Sequence, residues 1–224
     1  MSRANAGTKG VPRADRELQI LRAACEVFGT MGFAKASVAG IAADAGISKP
    51  LVYQYFGSKE GLFLASFNYG AETLAAEMER VAADDSVGVE RGLHTLDGLF
   101  RTLEPQPWLW RLLFDPSAPD DGEVAAARAV YTDRITRLAV EGVGELMRLV
   151  GDDDPLDASA LTAVWMSAVD ALITWWLDHP GVTPAQMTER CHRLIIAISG
   201  AALPAELPAE GGVRRQAERS SLRA

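Results

Sequence analysis

The sequence contains few of the residues that cross-link a protein or bind a metal. Its 224 residues include two cysteines, Cys25 and Cys191, far apart in the chain, and only three histidines. Neither cysteine has metal-ligand spacing and the histidines do not cluster, so we expect no metal, no cofactor and a reduced, cytoplasmic setting. The short motifs of zinc peptidases, P-loop nucleotide-binding proteins and serine hydrolases are absent, which argues against an enzyme.

Long uncharged apolar runs are missing as well. A membrane-spanning helix needs roughly 18 such residues, and Asp170 interrupts the nearest run, Thr162 to Leu177. The first residues also lack the basic start and apolar run of a signal peptide. Hydrophobic residues nevertheless make up 48% of the chain, which is enough to build a core. We therefore expect a globular protein with no membrane contact.

The chain has a deficit of positive charge, with a net charge of -8. Taken alone, this net charge argues against a nucleic-acid partner. The charges are unevenly distributed, however. Residues 1–60 hold eight Lys and Arg against five Asp and Glu, whereas residues 61–224 hold fourteen against twenty-five, and all four lysines lie in the first part. This asymmetry fits a DNA-binding N-terminal part (the head) joined to an acidic remainder of the chain (the body). Charge alone fits solvated side chains scattered by chance equally well.

Alternating strand patterns and internal repeats are absent, while apolar residues at helical spacing recur along the chain. The pattern predicts an all-α protein. We divide it into a flexible arm (1–14), a three-helix helix-turn-helix domain (15–64, with a connecting helix to about 83), a helical ligand-binding and dimerisation domain (84–203) and a flexible tail (204–224).

Helix-capping signals support this division. Ser37 and Ser58 precede apolar-periodic segments and are predicted N-caps. Asp120 and Glu123 have the spacing of an N-cap and its third helical residue. Thr183-Pro184-Ala185-Gln186 has the form of a capping box with proline at the first helical position, and it predicts the start of a last helix that ends near Leu203.

The most informative segment runs from Ser37 to Phe63 and reads SVAGIAADAGISKPLVYQYFGSKEGLF. It predicts two short helices joined by a tight turn in which Gly46 takes the left-handed conformation. A small core is predicted from its apolar residues, namely Val38, Ile41, Ala42, Ile47, Val52 and Phe56. The second short helix would then present Lys49, Tyr53, Gln54 and Tyr55 on its other face. Tyrosine can donate to a phosphate or lie on a thymine methyl group.

This segment resembles the N-terminal domain of the tetracycline-repressor (TetR) family of regulators. The resemblance rests on three linked motifs in the family's order: Phe28-Gly29-Thr30-Met31-Gly32-Phe33, Ser37 to Ser48, and Val52 to Leu62. It covers about residues 16 to 64 without gaps, and the rest of the chain matches only in length and helix pattern. Gly40 stands where a charged residue is more usual. Pro50-Leu51 replaces the commoner Gly-Thr, so no base preference can be carried over.

The resemblance implies roles for nine residues in DNA binding. Four lie at the start of the recognition helix, where base edges are met: Lys49, Pro50, Leu51 and Tyr53. Five match positions that usually touch phosphates: Ser37, Ser48, Gln54, Tyr55 and Lys59. Ser37 and Lys59 also lie at helix N-termini, where free backbone N–H groups favour an anion.

The second domain carries a weaker signal. Aromatic side chains and methionines are spread over several of its helices, and one carboxylate lies among them. We take eight of these residues as a candidate effector pocket: Phe100, Trp108, Trp110, Phe114, Met147, Trp165, Met166 and Asp170. Such residues line ligand pockets and plain cores alike. The acidic body predicts an effector that is largely apolar or aromatic and neutral or cationic.

The helix from Leu156 to Leu177 is apolar nearly all round and must be covered on both sides. The resemblance implies that the last two helices pair with their copies in a homodimer, while an ordinary monomer core is the alternative. The sequence therefore predicts a dimeric repressor that a small molecule releases from operator DNA. A ligand-independent regulator or activator, and an all-α enzyme acting on a cationic substrate, are the alternatives.

Overall fold

The computed structural model describes residues 11–198, and all regular structure within that range is helical. The elements are α1 (Arg13–Met31), α2 (Val38–Asp44), α3 (Lys49–Phe56), α4 (Lys59–Ala82), α5 (Gly88–Leu103), α6 (Trp108–Leu113), α7 (Gly122–Leu149), α8 (Pro155–Leu177) and α9 (Pro184–Ile198). The all-α prediction is confirmed. The predicted end of the last helix near Leu203 and the predicted tail lie outside the described residues, as do the first ten residues of the predicted arm.

Side-chain caps set several helix starts where the sequence placed them. Ser37 Oγ accepts a hydrogen bond from the Gly40 N–H at 3.0 Å, and Ser58 Oγ accepts one from the Gly61 N–H at 2.9 Å. The capping box before α9 is reciprocal, because the Thr183 N–H donates to Gln186 Oε1 at 3.0 Å and the Gln186 N–H donates to Thr183 Oγ1 at 3.3 Å. These bonds satisfy backbone N–H groups that have no partner inside the helix.

Two predicted boundaries were wrong by one or two residues. The first helix begins at Arg13, directly after Pro12, and so includes the last two residues of the predicted arm (1–14). Asp120 does not cap α7, which begins at Gly122 with Asp121 before it. Gly122 has a φ of 61°, a value that favours glycine, so the chain makes its turn there before it enters the helix.

The helix-turn-helix segment is built on a compact apolar core. From α1 it takes Ile20, Ala24 and Phe28, all fully buried. The predicted core residues of α2 and α3 are also buried, namely Val38, Ile41, Ala42 and Val52. Ile47 and Phe56, predicted to belong to this core, are only half-buried, since they lie at its edge.

The long helix α4 joins this segment to the rest of the chain, because it packs on α1 at one side and on α5, α6 and α7 at the other. Its apolar contacts include the ring of Phe67, which meets the ring of Tyr131 on α7 edge to face at 6.1 Å between centroids. On the surface, Arg134 of α7 donates hydrogen bonds to both Glu72 and Glu79 of α4. Apolar packing and a charged clamp therefore hold α7 against α4.

Helix α8 is apolar but only partly covered. Its Thr162, Ile173 and Trp176 are buried, whereas Leu156 and Val164 are 76% and 62% exposed. By length and composition α8 could cross a membrane, and a soluble protein's interface helix has the same composition. The expectation that α8 is covered on both sides does not hold within a single chain. The chain divides into two compact units at Glu189, within α9, and the helix-turn-helix segment and the helices packed around it belong to the first unit.

Candidate nucleic-acid interface

The turn between α2 and α3 has the geometry that the sequence predicted. Gly46 has a φ of 65°, a conformation that other residues rarely adopt. The Ile47 N–H donates back to the Ala42 carbonyl at 2.9 Å. From α1, Gln19 Nε2 donates to the Ala45 carbonyl at 2.7 Å. The turn is thus held from within and from the first helix, which sets the direction of α3.

Helix α3 presents a polar and aromatic surface to solvent. Its single fully buried side chain is Val52, and the residues exposed around it are Ser48, Lys49, Pro50, Tyr53 and Gln54. The ammonium group of Lys49 lies 5.7 Å from the centre of the Tyr53 ring. A cation and an aromatic hydroxyl are therefore adjacent on the face that the sequence assigned to base contact. Ser48 precedes the helix without a side-chain capping bond, so its hydroxyl is not used as a cap.

Two of the predicted α3 contacts are less accessible than their neighbours. Leu51 and Tyr55 are half-buried, and the guanidinium carbon of Arg13 lies 5.4 Å from the centre of the Tyr55 ring. Sequence reasoning missed Arg13, because it assigned that residue to the flexible arm. Its positive charge just before an apolar-periodic helix was the available signal. The structure adds this cation to the side of α3 that carries Tyr55.

The N-terminus of α4 adds a second positive feature. Lys59 is its first residue, where free backbone N–H groups favour negative charge. The effect is visible on Glu60, because a hydrogen bond from its own backbone N–H and a second from Ser58 lower the pKa of its carboxyl group. Ser37 has an equivalent position before α2 and is exposed. Both helix starts therefore offer N–H groups to an anion near α3.

Lys59 is held in place by an aromatic cluster. Its Nζ lies 4.3 Å from the centre of the Phe33 ring. That ring in turn meets the rings of Phe63 and Phe28, with centroids 5.2 Å and 6.1 Å away. Phe33 follows α1 directly, so the loop after α1 determines where the cation of Lys59 lies.

The same loop is fastened to the segment after α6. Asp115, which is 7% exposed, accepts a hydrogen bond from the Phe33 N–H. The Ala34 N–H donates to Ser117 Oγ at 3.1 Å, and Ser117 Oγ itself donates to Asp115 Oδ1 at 2.8 Å. This connection, between residues more than eighty positions apart, joins the helix-turn-helix segment to the body.

The structure scatters the eight predicted effector-pocket residues. Three of them line one groove of about 490 Å³ between the end of α1, α6 and α8, namely Trp110, Phe114 and Asp170. Phe100 is fully buried against Trp176, and Trp165 lies over Gly92. The remaining three, Trp108, Met147 and Met166, are half-buried and do not line the groove. Asp170 is exposed rather than surrounded by apolar side chains, because it lies on the flank of α8.

Comparisons with known proteins agree with this geometry. The family model described as bacterial regulatory proteins, tetR family, matches residues 20–66. The chain is 28% identical over 172 residues to the HTH-type transcriptional activator FasR of Mycolicibacterium smegmatis, covering 75% of each chain. It is 40% identical over 76 residues to the HTH-type transcriptional regulator BetI of Stenotrophomonas maltophilia, covering 34% of this chain and 38% of that protein.

The fold is shared with solved regulators. The transcriptional regulator FadR of Bacillus subtilis, solved in complex with stearoyl-CoA, superposes with a TM-score of 0.65 at 18% identity, over 82% of this chain and 98% of that one. The family match, the relatives and the fold lead to one conclusion. Residues 20–66 carry the N-terminal domain of the TetR family, and the findings together point to a TetR-family DNA-binding transcriptional regulator.

Proposed function

We propose that the protein reads its operator through α3, with Lys49, Pro50, Leu51 and Tyr53 facing base edges. We further propose that phosphates are contacted by the residues around them, namely Ser37, Ser48, Gln54, Tyr55 and Lys59. The observation that carries this proposal is the exposed face of α3, on which Lys49 lies beside Tyr53. The positive excess of residues 1–60 supports it, because phosphate contacts dominate the affinity for DNA. A DNA-binding role also implies a cytoplasmic location.

Family members bind operator DNA as dimers, and we propose a homodimer through α8 and α9. Leu156 and Val164 expose large apolar side chains on α8. On the end of α9, Leu194 and Ile198 are 43% and 84% exposed. Apolar surface of this kind is favourably removed from water by a second copy. Two heads would then read two half-sites of a pseudo-palindrome.

We also propose that a small molecule releases the protein from DNA, so that it acts as a repressor. The helices from α5 to α9 support this, because DNA binding alone would not require them. The Bacillus subtilis neighbour, whose structure contains stearoyl-CoA, illustrates that this fold can hold a small molecule. An activator is the second candidate, and the relative named as an activator favours it.

The primary test is DNA binding by the full-length protein. A labelled duplex from upstream of its own gene should be retained in fluorescence anisotropy at far lower protein concentration than a scrambled duplex of the same composition. Equal affinity for both duplexes, at several salt concentrations, would remove the proposed operator function. Transcription from that promoter with and without the protein then distinguishes repressor from activator.

Dimerisation is tested with a matched pair of substitutions. Val164→Asp on α8 should convert a dimer into a species of about 24 kDa in light scattering, because it places a charge in the proposed interface. Val130→Asp on α7, where the valine is 70% exposed, should leave the dimer intact. A wild-type monomer at micromolar concentration would contradict the proposed interface.

A further inference from the structure

The groove between α1, α6 and α8 lies where the helix-turn-helix segment meets the helices that pack against it. It encloses about 490 Å³, within the range of small-molecule sites. One wall is aromatic, because the rings of Trp110 and Phe114 lie 4.5 Å apart. Trp110 is 7% exposed and Phe114 is 46% exposed, so Phe114 supplies most of the accessible aromatic surface of this wall.

The α8 side of the groove carries negative charge. Asp170 lines the groove from α8, and within residues 11–198 it has no hydrogen-bond or ion-pair partner. The other charged side chains that line the groove are already matched: Arg111 pairs with Asp178 at 3.0 Å, and Asp115 accepts hydrogen bonds from the backbone N–H groups of Phe33 and Ser117. A carboxylate without a partner, in a groove that aromatic rings also line, favours a cation, because both attract positive charge.

The position of the groove is as informative as its chemistry. Gly32 and Asp115 both line it, and these residues flank the hydrogen bond that holds Phe33. The ring of Phe33 in turn carries Lys59. A molecule in the groove would therefore touch Asp115, where the connection to a proposed phosphate contact begins, and Gly32, the residue before Phe33.

We propose that this junction groove binds an organic cation with aromatic rings, anchored by Asp170 and the Trp110–Phe114 wall. We propose also that a molecule bound in this groove changes the position of Lys59 on the DNA-binding face, through the contacts from Asp115 to Phe33 and from Phe33 to Lys59. The inference deepens the proposed effector-controlled function and rests on it for its regulatory part. It names one place for the ligand, and it narrows the predicted neutral or cationic effector to a cation.

Binding is tested first, without DNA, on the full-length protein. Tetraphenylphosphonium and tetraphenylborate have the same shape and opposite charge, so calorimetry with both isolates the electrostatic preference. The cation should bind at least about five-fold more tightly, the effect of one partly screened charge contact. Asp170→Asn should weaken the cation by about the same factor, and Phe114→Leu should weaken it about two- to five-fold. Asp157→Asn, an exposed carboxylate elsewhere on α8, is the matched control.

Several outcomes would overturn the site. These are no binding of the phosphonium, equal or tighter binding of the borate, or a loss on Asp157→Asn as large as that on Asp170→Asn. The regulatory part is tested by anisotropy on operator DNA with saturating phosphonium, which should change the operator Kd. Ser117→Ala, which removes one exposed bond of the connection, should reduce that change while leaving phosphonium binding intact. An unchanged operator Kd in the wild type would overturn the coupling.

The two proposals fail in different ways. If the protein binds no operator even without the phosphonium, the proposed function fails. Calorimetry then still tests whether the groove binds the phosphonium. If operator binding is specific but the phosphonium does not bind, the groove proposal fails and the regulator proposal stands.

Discussion

The ammonium group of Lys59 lies 4.3 Å above the centre of the Phe33 ring. Lys59 begins α4, and Phe33 belongs to the loop after α1, whose backbone is bonded to Asp115 and Ser117 after α6. A cation over an aromatic face is stabilised and loses rotational freedom. The pair therefore presents a proposed DNA phosphate contact in one position, and the body of the protein influences that position through backbone hydrogen bonds.

Lys59→Ala should weaken binding to operator and to random DNA alike. The reason is that a phosphate contact carries no sequence information. The slope of log Kobs against log salt should become shallower by ~0.9 for the lost contact. Salt titrations by anisotropy measure both effects. Arg137→Ala, which removes an exposed cation from α7, serves as the control and should change neither.

Phe33→Leu tests whether the position of the Lys59 ammonium group affects DNA binding separately from its charge. The charge remains, but the aromatic support is lost, so we expect a loss of affinity of about two- to five-fold, smaller than that of Lys59→Ala. An effect equal to that of Lys59→Ala would mean that support by the ring matters as much as the charge itself. No effect on affinity would contradict a positioning role for the ring.

Tyr53→Ala should reduce sequence preference rather than general affinity. Tyr53 is 39% exposed on α3 beside Lys49, where its ring can meet a base. Loss of one good base contact costs ~1–3 kcal/mol of discrimination, so operator binding should fall about ten-fold while random DNA changes little. Tyr53→Phe is the matched variant. It should keep the preference if the ring makes the contact and lose affinity for both DNAs if the hydroxyl binds phosphate.

Gly29→Ala should destabilise the fold at the contact between α1 and α6. A methyl group at Gly29 would lie 2.2 Å from the carbonyl oxygen of Trp108, so the backbone must shift, at a cost of ~1–3 kcal/mol. Gly144→Ala on α7 is the control, because a methyl group there would have no atom from another helix within 4 Å. It should instead stabilise by ~0.5–1 kcal/mol through helix propensity. Urea unfolding at fixed protein concentration measures both, and equal effects would contradict the close approach of the two helices.

The surface clamp of α7 on α4 predicts a pH dependence. Hydrogen bonds from Arg134 lower the pKa of both Glu72 and Glu79. Their stabilising contribution is therefore present above the unfolded carboxyl pKa of ~4.3 and is lost as pH falls through the lower folded values. Arg134→Gln should lower the Tm at pH 7, and the difference from wild type should disappear as the pH falls through the lowered pKa values of the two carboxyl groups. Arg137→Gln is the control, and parallel Tm curves for wild type and Arg134→Gln would contradict the clamp.

Much of the helix-turn-helix segment could be predicted because its signals are local. Ser37 and Ser58 cap helices through bonds to residues three positions later, and Gly46 makes its turn through its own backbone conformation. The start of α7 was misplaced because Asp120 and Asp121 are equally good caps in isolation. Arg13 was missed because it was assigned to the flexible arm, and its contact with Tyr55 is one that only the tertiary structure makes.

The sequence could not predict which of the eight candidate pocket residues line one groove. Aromatic side chains have the same apolar character in a core and in a groove, and only packing separates Phe100 against Trp176 from Phe114 at the surface. The same applies to Asp170. Its apolar sequence neighbours suggested burial, yet a helix turns about 100° per residue, so a residue between buried positions can point outward.

The sequence by itself determined the all-α class, the helix-turn-helix and its capped helices, since these follow from periodicity, glycine conformations and bonds between near neighbours. Only the tertiary structure brought Asp115 to Phe33, Phe33 to Lys59, and Asp170 to the aromatic wall of α6. Those contacts depend on how α1, α6 and α8 pack, and that packing results from apolar burial summed over the whole chain rather than from any segment's own preference.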